Sequence, residues 1–320
     1  MKYLRLKTTN PYYNLAVEEY LLLHEDDDIF MLWQNEPTVV IGKNQNAYAE
    51  VNLSYVREQG IHVCRRITGG GAVYHDAGNI NYTFISKKRN GEHASYAFFA
   101  APILRALETL GLSCSLSGRN DLEYNGRKFS GNAQHSNGAR ILHHGTILFD
   151  TDISVMSAAL KVDKEKLAHR AIKSCGSRVI NLKEALGDTF GVSDLLEHIE
   201  AFVKAELHAE PYSLPSCEEI DALRARNEND AWIYSEKRYL TNYTVQRKKK
   251  YPFGLVQIEL NLNGNMIEDA VISGDFFEMA PIEELEKALI GCSVDALPYI
   301  EASAYISGMT FFDLANLIKP

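Results

Sequence analysis

HVCRRITGGGAVYHDAGNINYTFIS, residues 62–86, runs from one extended segment through a glycine triplet into another. His62 to Ile67 reads as a strand leading into the glycines. Beyond them, Ile80, Tyr82 and Phe84 alternate with Asn79, Asn81 and Thr83, the period of a strand in a sheet with one buried face. Gly69, Gly70 and Gly71 let backbone N–H groups approach a ligand without side-chain obstruction. Arg65 and Arg66 add fixed positive charge and fork-shaped donors suited to phosphate. The combination suggests an anion-binding loop, although a glycine triplet by itself also makes a tight turn. It is not a P-loop, because no Gly-Lys-Ser/Thr closes it, nor the dinucleotide fingerprint, because Tyr74 stands where the third glycine should be. Gly42-Lys43 continues with Asn44 and fails the P-loop pattern as well.

Upstream, Asn10-Pro11 followed by YYNLAVEEYLLLHE predicts a capped helix, because Asn caps well and Pro fits the first turn. Short strands are expected at IFMLW and TVVIG. Downstream, SYAFFAAPILRALETLG predicts a helix that Pro102 kinks or whose start it shifts. Helical stretches are expected near SVMSAALKVDKEKL and SDLLEHIEAFVKAEL. The composition changes at Arg247-Lys248-Lys249-Lys250, which reads either as a solvated interdomain segment or as a patch for an acidic partner. After it, two strands flank a turn at Asn263-Gly264, and PIEELEKALIG and FFDLANLIK read as helices. The expected organisation is a large domain over 1–246 and a small α+β unit over 247–320.

The 320 residues are 46% hydrophobic and 23% charged, enough for a sizeable core in one large or two unequal domains. A net charge of -9 argues against nucleic acid as the main partner while leaving room for a local basic pocket. The five cysteines are odd in number and form no CxxC pair, which argues against a disulfide framework or a structural zinc site. MKYLRLKTTN lacks the apolar core of a signal peptide, and no apolar run reaches membrane-spanning length. A cytoplasmic protein is expected.

Three further segments carry chemistry. In GRNDLEYNGRKFSG, Asn125-Gly126 predicts a type I′ hairpin pairing Tyr124 with Arg127, Glu123 with Lys128, Leu122 with Phe129 and Asp121 with Ser130. One face then carries Leu122, Tyr124 and Phe129, and the other Asp121, Glu123, Lys128 and Ser130. That polar face is either the wet side of a sheet, with a Glu123–Lys128 pair, or a catalytic surface. His143 and His144 are adjacent in a strand, so they point to opposite faces and cannot easily share a metal. One should be buried and hydrogen-bonded, and the other border a pocket. Cys175, before Gly176-Ser177, reads as a small buried hydrophobe before it reads as an acyl-transfer nucleophile.

Together NLAVEEYLL, RRITGGGAVYHDAGNINYTF, GRNDLEYNGRKFSGNA, LHHGTILFD and ISGDFF resemble the lipoate–protein ligase A family, in family order and over most of the chain. The resemblance implies an α/β (mixed-sheet α+β) catalytic domain of the biotin/lipoate ligase type with a small accessory domain. It implies that lipoic acid and ATP, with Mg2+, give lipoyl-adenylate, whose acyl group then passes to a lysine of a lipoyl domain. Such acceptors belong to 2-oxoacid dehydrogenase complexes and to the glycine cleavage system. Carried over residue by residue, Arg66, Gly71, Ala72, Val73 and Tyr74 surround ATP or the adenylate. Lys128 touches both lipoate and the α-phosphate. Gly70, His75 and Asn79 border the lipoyl pocket, and Asp121 stands where a magnesium ligand could sit. Ile67-Thr68 replaces the Arg-Ser of some relatives, which keeps a hydroxyl and removes a charge. A monomer that engages neither membrane nor nucleic acid is expected. Within the same superfamily, a transferase working through a Cys175 thioester without ATP is the rival reading, and a biotin ligase fits less well because the loop lacks that family's GRGR-type signature. A binding protein without turnover is a further alternative.

Overall fold

In the computed structural model, which describes residues 1–88, 95–161, 178–239 and 241–319, the Asn10 side chain accepts the Tyr13 N–H at 2.9 Å. That bond starts the helix Pro11–His24, with Pro11 in its first turn as the sequence predicts. Contacts gather the chain into two units: Met1–Val40, Val51–Cys64 and Val73–Asn229 in the first, and Ile41–Glu50, Arg65–Ala72 and Asp230–Pro320 in the second. The boundary expected after residue 246 falls inside the last of these stretches, and the glycine run is gathered with that stretch.

The first unit holds strands β1 (Lys2–Arg5), β2 (Ile29–Trp33), β3 (Thr38–Ile41), β4 (His62–Arg65), β5 (Val73–His75), β6 (Asn79–Lys87), β7 (Cys114–Ser117), β8 (Asp121–Tyr124), β9 (Arg127–Ser136), β10 (Arg140–Leu148) and β11 (Glu210–Pro211), the ends of β3 and β4 reaching its boundary. Eight of them form a mixed sheet in the order β11-β1-β2-β6-β10-β9-β8-β7, and β4-β3-β5 form a second, smaller sheet. β1 runs parallel to β2 and β11, whereas β2, β6, β10, β9, β8 and β7 pair antiparallel in turn.

β6 departs from its predicted pattern, because every residue from Asn79 to Ser86 is buried. Ile80, Tyr82 and Phe84 join a core with Phe99 and Ile103 of the helix Tyr96–Glu108 and Leu195 and Ile199 of the helix Val192–Glu206. The opposite, polar face meets the helix Pro11–His24, where Thr83 donates to the buried Glu18 and accepts the Trp33 indole N–H at 2.9 Å. Helices therefore cover both faces, and the alternation records polarity rather than exposure. Pro102 lies inside the helix Tyr96–Glu108 without shifting its start, which Ser95 caps at 3.2 Å. Of the helical stretch expected after Ser154, Ile153–Ala159 is helical; its later part, and Cys175, lie outside the described residues.

In the second unit, β12 (Val245–Tyr251), β13 (Gly254–Asn263) and β14 (Met266–Gly274) form an antiparallel sheet. Its core includes Ile258, Leu260 and Ile272 with Leu285 of the helix Ile282–Leu289 and Leu314 of the helix Phe311–Ile318. Arg247 to Lys250, read from sequence as a solvated segment or a patch for an acidic partner, lie in the edge strand β12 with exposed side chains. The hairpin turn sits one residue later than predicted: Asn263 pairs with Met266, so Gly264 and Asn265 are the two central residues. Only Gly264 has positive φ (60°), which places glycine first in the turn, the type II′ requirement.

Candidate active site

The glycine loop belongs to the second unit, and its arginines do two different things. Arg65 is 3% exposed, and its guanidinium donates to the carbonyls of Gly42 (3.1 Å), Lys43 (2.8 Å), Gln45 (2.7 Å), Trp232 (2.9 Å) and Ile233 (2.6 Å). It is a buried clamp rather than the phosphate donor its position suggests, and burial pushes its pKa down. Arg66 instead shapes the loop itself. Its Nη2 donates to the carbonyls of Gly69 (2.7 Å) and Gly71 (2.8 Å), and its Nε to the Thr68 hydroxyl (2.9 Å).

The glycines answer to distinct needs. A side chain at Gly69 would collide with the Phe276 carbonyl, and Gly70 has φ 91° and donates its N–H to that same oxygen at 3.3 Å. Gly71 is exposed, with nothing in the direction a Cβ would take, so it is the open side of the loop. Ala72 follows, half-buried.

Val73, Tyr74 and His75 form β5 in the first unit, paired with Val40, Val39 and Thr38. Tyr74 is buried, which pushes its hydroxyl up to about 12, with Asp76 and Asp152 adding to the effect. His75 is 3% exposed and lies edge-on to Trp33. Asn14 Nδ2 donates to Asn35 Oδ1 at 2.9 Å, which turns the Asn35 amide N–H toward His75 Nδ1 at 3.0 Å. Asn79 is fully buried and donates to Asn81 Oδ1 at 2.9 Å. Among the described residues its Oδ1, and Asn81 Nδ2, are buried without a hydrogen-bond partner, which leaves a polar spot on β6.

The Lys128 hairpin also belongs to the first unit. Asn125 (φ 50°) and Gly126 (φ 72°) make the predicted turn, and Tyr124–Arg127 and Glu123–Lys128 pair as expected. A bulge between Leu122 and Glu123 then shifts the register, so Leu122 faces Ser130 and Asp121 faces Gly131. Two expectations change in consequence. Ser130 leaves the polar face and is 1% exposed, accepting from Asn132 at 3.3 Å. Lys128 pairs with Asp121 at 2.8 Å rather than with Glu123. Its side chain lies over Gly131, where an added Cβ would come within 3.1 Å of Nζ. The Lys128 backbone is held from the other side: its N–H donates to Arg178 O (2.8 Å), and its carbonyl accepts the Ile180 N–H (2.9 Å). The result is a half-exposed amine on a fixed backbone, oriented by one carboxylate.

Beneath it lies a network of which sequence reading foresaw only the buried, hydrogen-bonded histidine. Asn132 accepts from Tyr82 and contacts His143 Nε2 at 3.1 Å, while Gln134 Nε2 meets His143 Nδ1 at 3.0 Å. His143 stacks on Phe99 and is fully buried, which pushes its pKa well below the usual histidine value, with His144 adding to the effect. His144 points the other way, to Glu18 at 3.1 Å, so the two rings are on opposite faces as predicted. Thr146 Oγ1 accepts the Gly131 N–H at 3.3 Å. A further sequence signal for this network was Gly145 within a strand, the mark of close approach: a side chain there would collide with Asn132 and Tyr82.

The mixed sheet, flanked by helices, belongs to a catalytic domain of the lipoyl ligase type. Residues 10–204 match the lipoyl protein ligase A/B catalytic domain, and residues 241–318 the bacterial lipoate protein ligase C-terminus. The chain is 37% identical to lipoate-protein ligase LplJ of Bacillus subtilis, covering 97% of each chain. Its structure matches that of P. falciparum LipL1 in complex with lipoate, with TM-score 0.77, 26% identity and 92% and 91% of the two chains covered. It also matches the ligase of the bi-partite Thermoplasma acidophilum lipoylation system, with TM-score 0.65, 26% identity and 76% and 98% covered. The chain belongs to the lipoate–protein ligase family and is an enzyme, a ligase. Among the described residues no helix is long and apolar enough to cross a membrane.

Proposed function

We propose that the chain activates lipoate with MgATP to lipoyl-adenylate and transfers the lipoyl group to a lysine of an acceptor domain. The observation that carries this reading is the Lys128 amine, held over Gly131 by Asp121 on a fixed hairpin. Attack of the lipoate carboxylate on the α-phosphate brings two anions together, and a fixed cation lowers that repulsion. Pyrophosphate leaves. The acceptor's ε-amine then attacks the acyl carbon, AMP departs and the amine loses its proton. Lys128 can stabilise the oxyanion of this second step, and holding the partners in place supplies much of the remaining acceleration.

Arg66, Gly71, Ala72, Val73 and Tyr74 are assigned to the nucleotide, and Gly70, His75 and Asn79 to the lipoyl group. Asn79 Oδ1, without a hydrogen-bond partner among the described residues, and the burial of His75 suit a site that receives a polar group within an apolar setting. Among the described residues no three His, Cys, Asp or Glu side chains come together to cage a metal. Mg2+ keeps most of its waters and takes one or two carboxylates beside substrate phosphates. It is assigned as part of MgATP, with Asp121 as its one protein carboxylate.

Residues 1–246 are read as the catalytic domain and 247–320 as the accessory domain. The acceptors are assigned as lipoyl domains of 2-oxoacid dehydrogenase complexes or of the glycine cleavage system; the archaeal ligase was solved in a study with its E2 lipoyl domain. A cytoplasmic monomer completes the reading. The deciding experiment incubates the protein with lipoate and MgATP, without acceptor, and reads the products by mass spectrometry. Lipoyl-AMP and pyrophosphate are expected. An ATP-independent acyl thioester on Cys175 would replace this reading with the transferase.

A further inference from the structure

Within the second unit, the stretch Gly274–Glu278 supports the glycine loop at several points, although some two hundred residues of sequence separate them. Phe276 O accepts the Gly70 N–H, and Gly69 packs too close to that carbonyl for any side chain. A second turn, Gly42–Gln45, lies against the same loop. Lys43 N–H donates to Thr68 O at 2.8 Å, and Gly42 has no room for a side chain beside the Gly70 carbonyl. This turn is in turn held by Glu278. Its Oε1 meets Lys43 Nζ at 2.6 Å, its Oε2 accepts from Asn44 Nδ2 at 2.7 Å, and Asn44 O accepts the Gly274 N–H at 2.9 Å. The Glu278 side chain is 9% exposed. On its far side the stretch is fixed as well, with the Ser307 N–H donating to Phe277 O (3.0 Å) and the Met279 N–H to Tyr305 O (2.9 Å).

A carboxylate supporting an anion-binding loop is the wrong charge to touch the ligand. Its two oxygens are already used by an ammonium and an amide. Its contribution is to geometry: it fixes the turn on which the glycine loop rests. We propose that Glu278 is a positioning residue for nucleotide activation, one that holds Gly42–Gln45, and through it Gly69–Gly71, in the shape that receives the nucleotide phosphates. This rests on the assignment of the loop to ATP made above.

The test measures lipoate-dependent pyrophosphate exchange at varied ATP, lipoate affinity by calorimetry, and Tm, for the full chain and its variants. Glu278→Ala removes both charge-assisted contacts and, acting only through the shape of the loop, should raise KM for ATP about tenfold, with kcat within about threefold. Lipoate affinity should not move. Glu278→Gln keeps the Asn44 bond and should recover part of the ATP affinity. Lys43→Met and Asn44→Ala remove the same contacts from the other side, so the proposal stays testable if Glu278→Ala does not fold. An unchanged KM for ATP in an active wild-type background, or equal losses in ATP affinity, lipoate affinity and kcat, overturns it. Absence of exchange in the wild type instead overturns the ligase chemistry itself, and the two failures are distinct.

Discussion

Lys128 Nζ lies 2.8 Å from Asp121 Oδ1, although the hairpin register sets Lys128 directly opposite Glu123. The bulge makes this possible. By bringing Gly131 opposite Asp121, it clears the surface over which the lysine stem folds. Both side chains are more than a third exposed, so the pair contributes at most about 1 kcal/mol to stability. Its value lies in aiming the amine.

That separation of aim from stability gives the first prediction. Lys128→Ala should abolish lipoyl-adenylate formation while the thermal midpoint stays within about 3 °C of wild type, as expected for loss of a weak surface pair. Pyrophosphate release at the wild-type rate would remove Lys128 from the mechanism. Asp121→Asn should keep the fold as well and reduce the rate less severely, since the cation remains but loses its orientation.

Arg66 supports the loop through the carbonyls of Gly69 and Gly71 and the Thr68 hydroxyl. Removing it takes three hydrogen bonds and a cation from the nucleotide loop. Arg66→Ala should therefore raise the ATP requirement by more than the lipoate requirement, by about tenfold or more given the usual worth of charge-assisted bonds. Calorimetry showing unchanged ATP binding would contradict this.

Gly145→Ala tests the network beneath the lysine. The added methyl would meet the Asn132 carboxamide and the Tyr82 ring, both within fully packed surroundings. Overpacking of this kind costs about 1–3 kcal/mol. Urea unfolding should show that loss, together with reduced activity, because Asn132 and Gly131 are neighbours on the strand that carries Lys128. A variant as stable and active as wild type would mean that the hairpin does not depend on this packing.

Local chemistry was legible in the sequence where one or two residues decide the outcome. Asn10 before Pro11 set the helix start, and Asn125-Gly126 set a turn with both residues at positive φ. The same logic misplaced the later turn by one residue, because Gly264 can occupy the first central position and the pairing of Asn263 with Met266 decides between the registers. The bulge was illegible because it is set by pairing: Leu122, Phe129 and Ser130 are all buried, and strict alternation cannot place Phe129 and Ser130 on the same side. The burial of β6 on both faces depended on helices distant in sequence. So did the roles of Arg65, whose carbonyl partners lie in two separate stretches, and of Glu278. The family motif marked the glycine loop and the lysine, while the residues that shape them carry no motif of their own.

His143 gives the last prediction, which concerns pH. It is fully buried against Phe99, and its two ring nitrogens meet Asn132 Oδ1 and Gln134 Nε2. With Asn132 accepting and Gln134 donating, the neutral ring with its proton on Nε2 satisfies both, and a second proton on Nδ1 would face an amide donor. Burial is the main cause of the lowered pKa. The folded state therefore resists a proton that the unfolded chain accepts near the ordinary value of 6.5. Above that pH the residue adds no pH dependence. Below it the unfolded state binds the extra proton, and stability falls by up to about 1.4 kcal/mol per pH unit. His143→Gln keeps a donor and an acceptor but cannot titrate. Urea unfolding at several pH values from about 5 to 8, a range spanning the ordinary histidine value, should give a shallower acid-side slope for the variant than for wild type, with the two parallel above neutrality. Equal slopes below pH 6.5 would mean that His143 takes up its proton without opposing the fold.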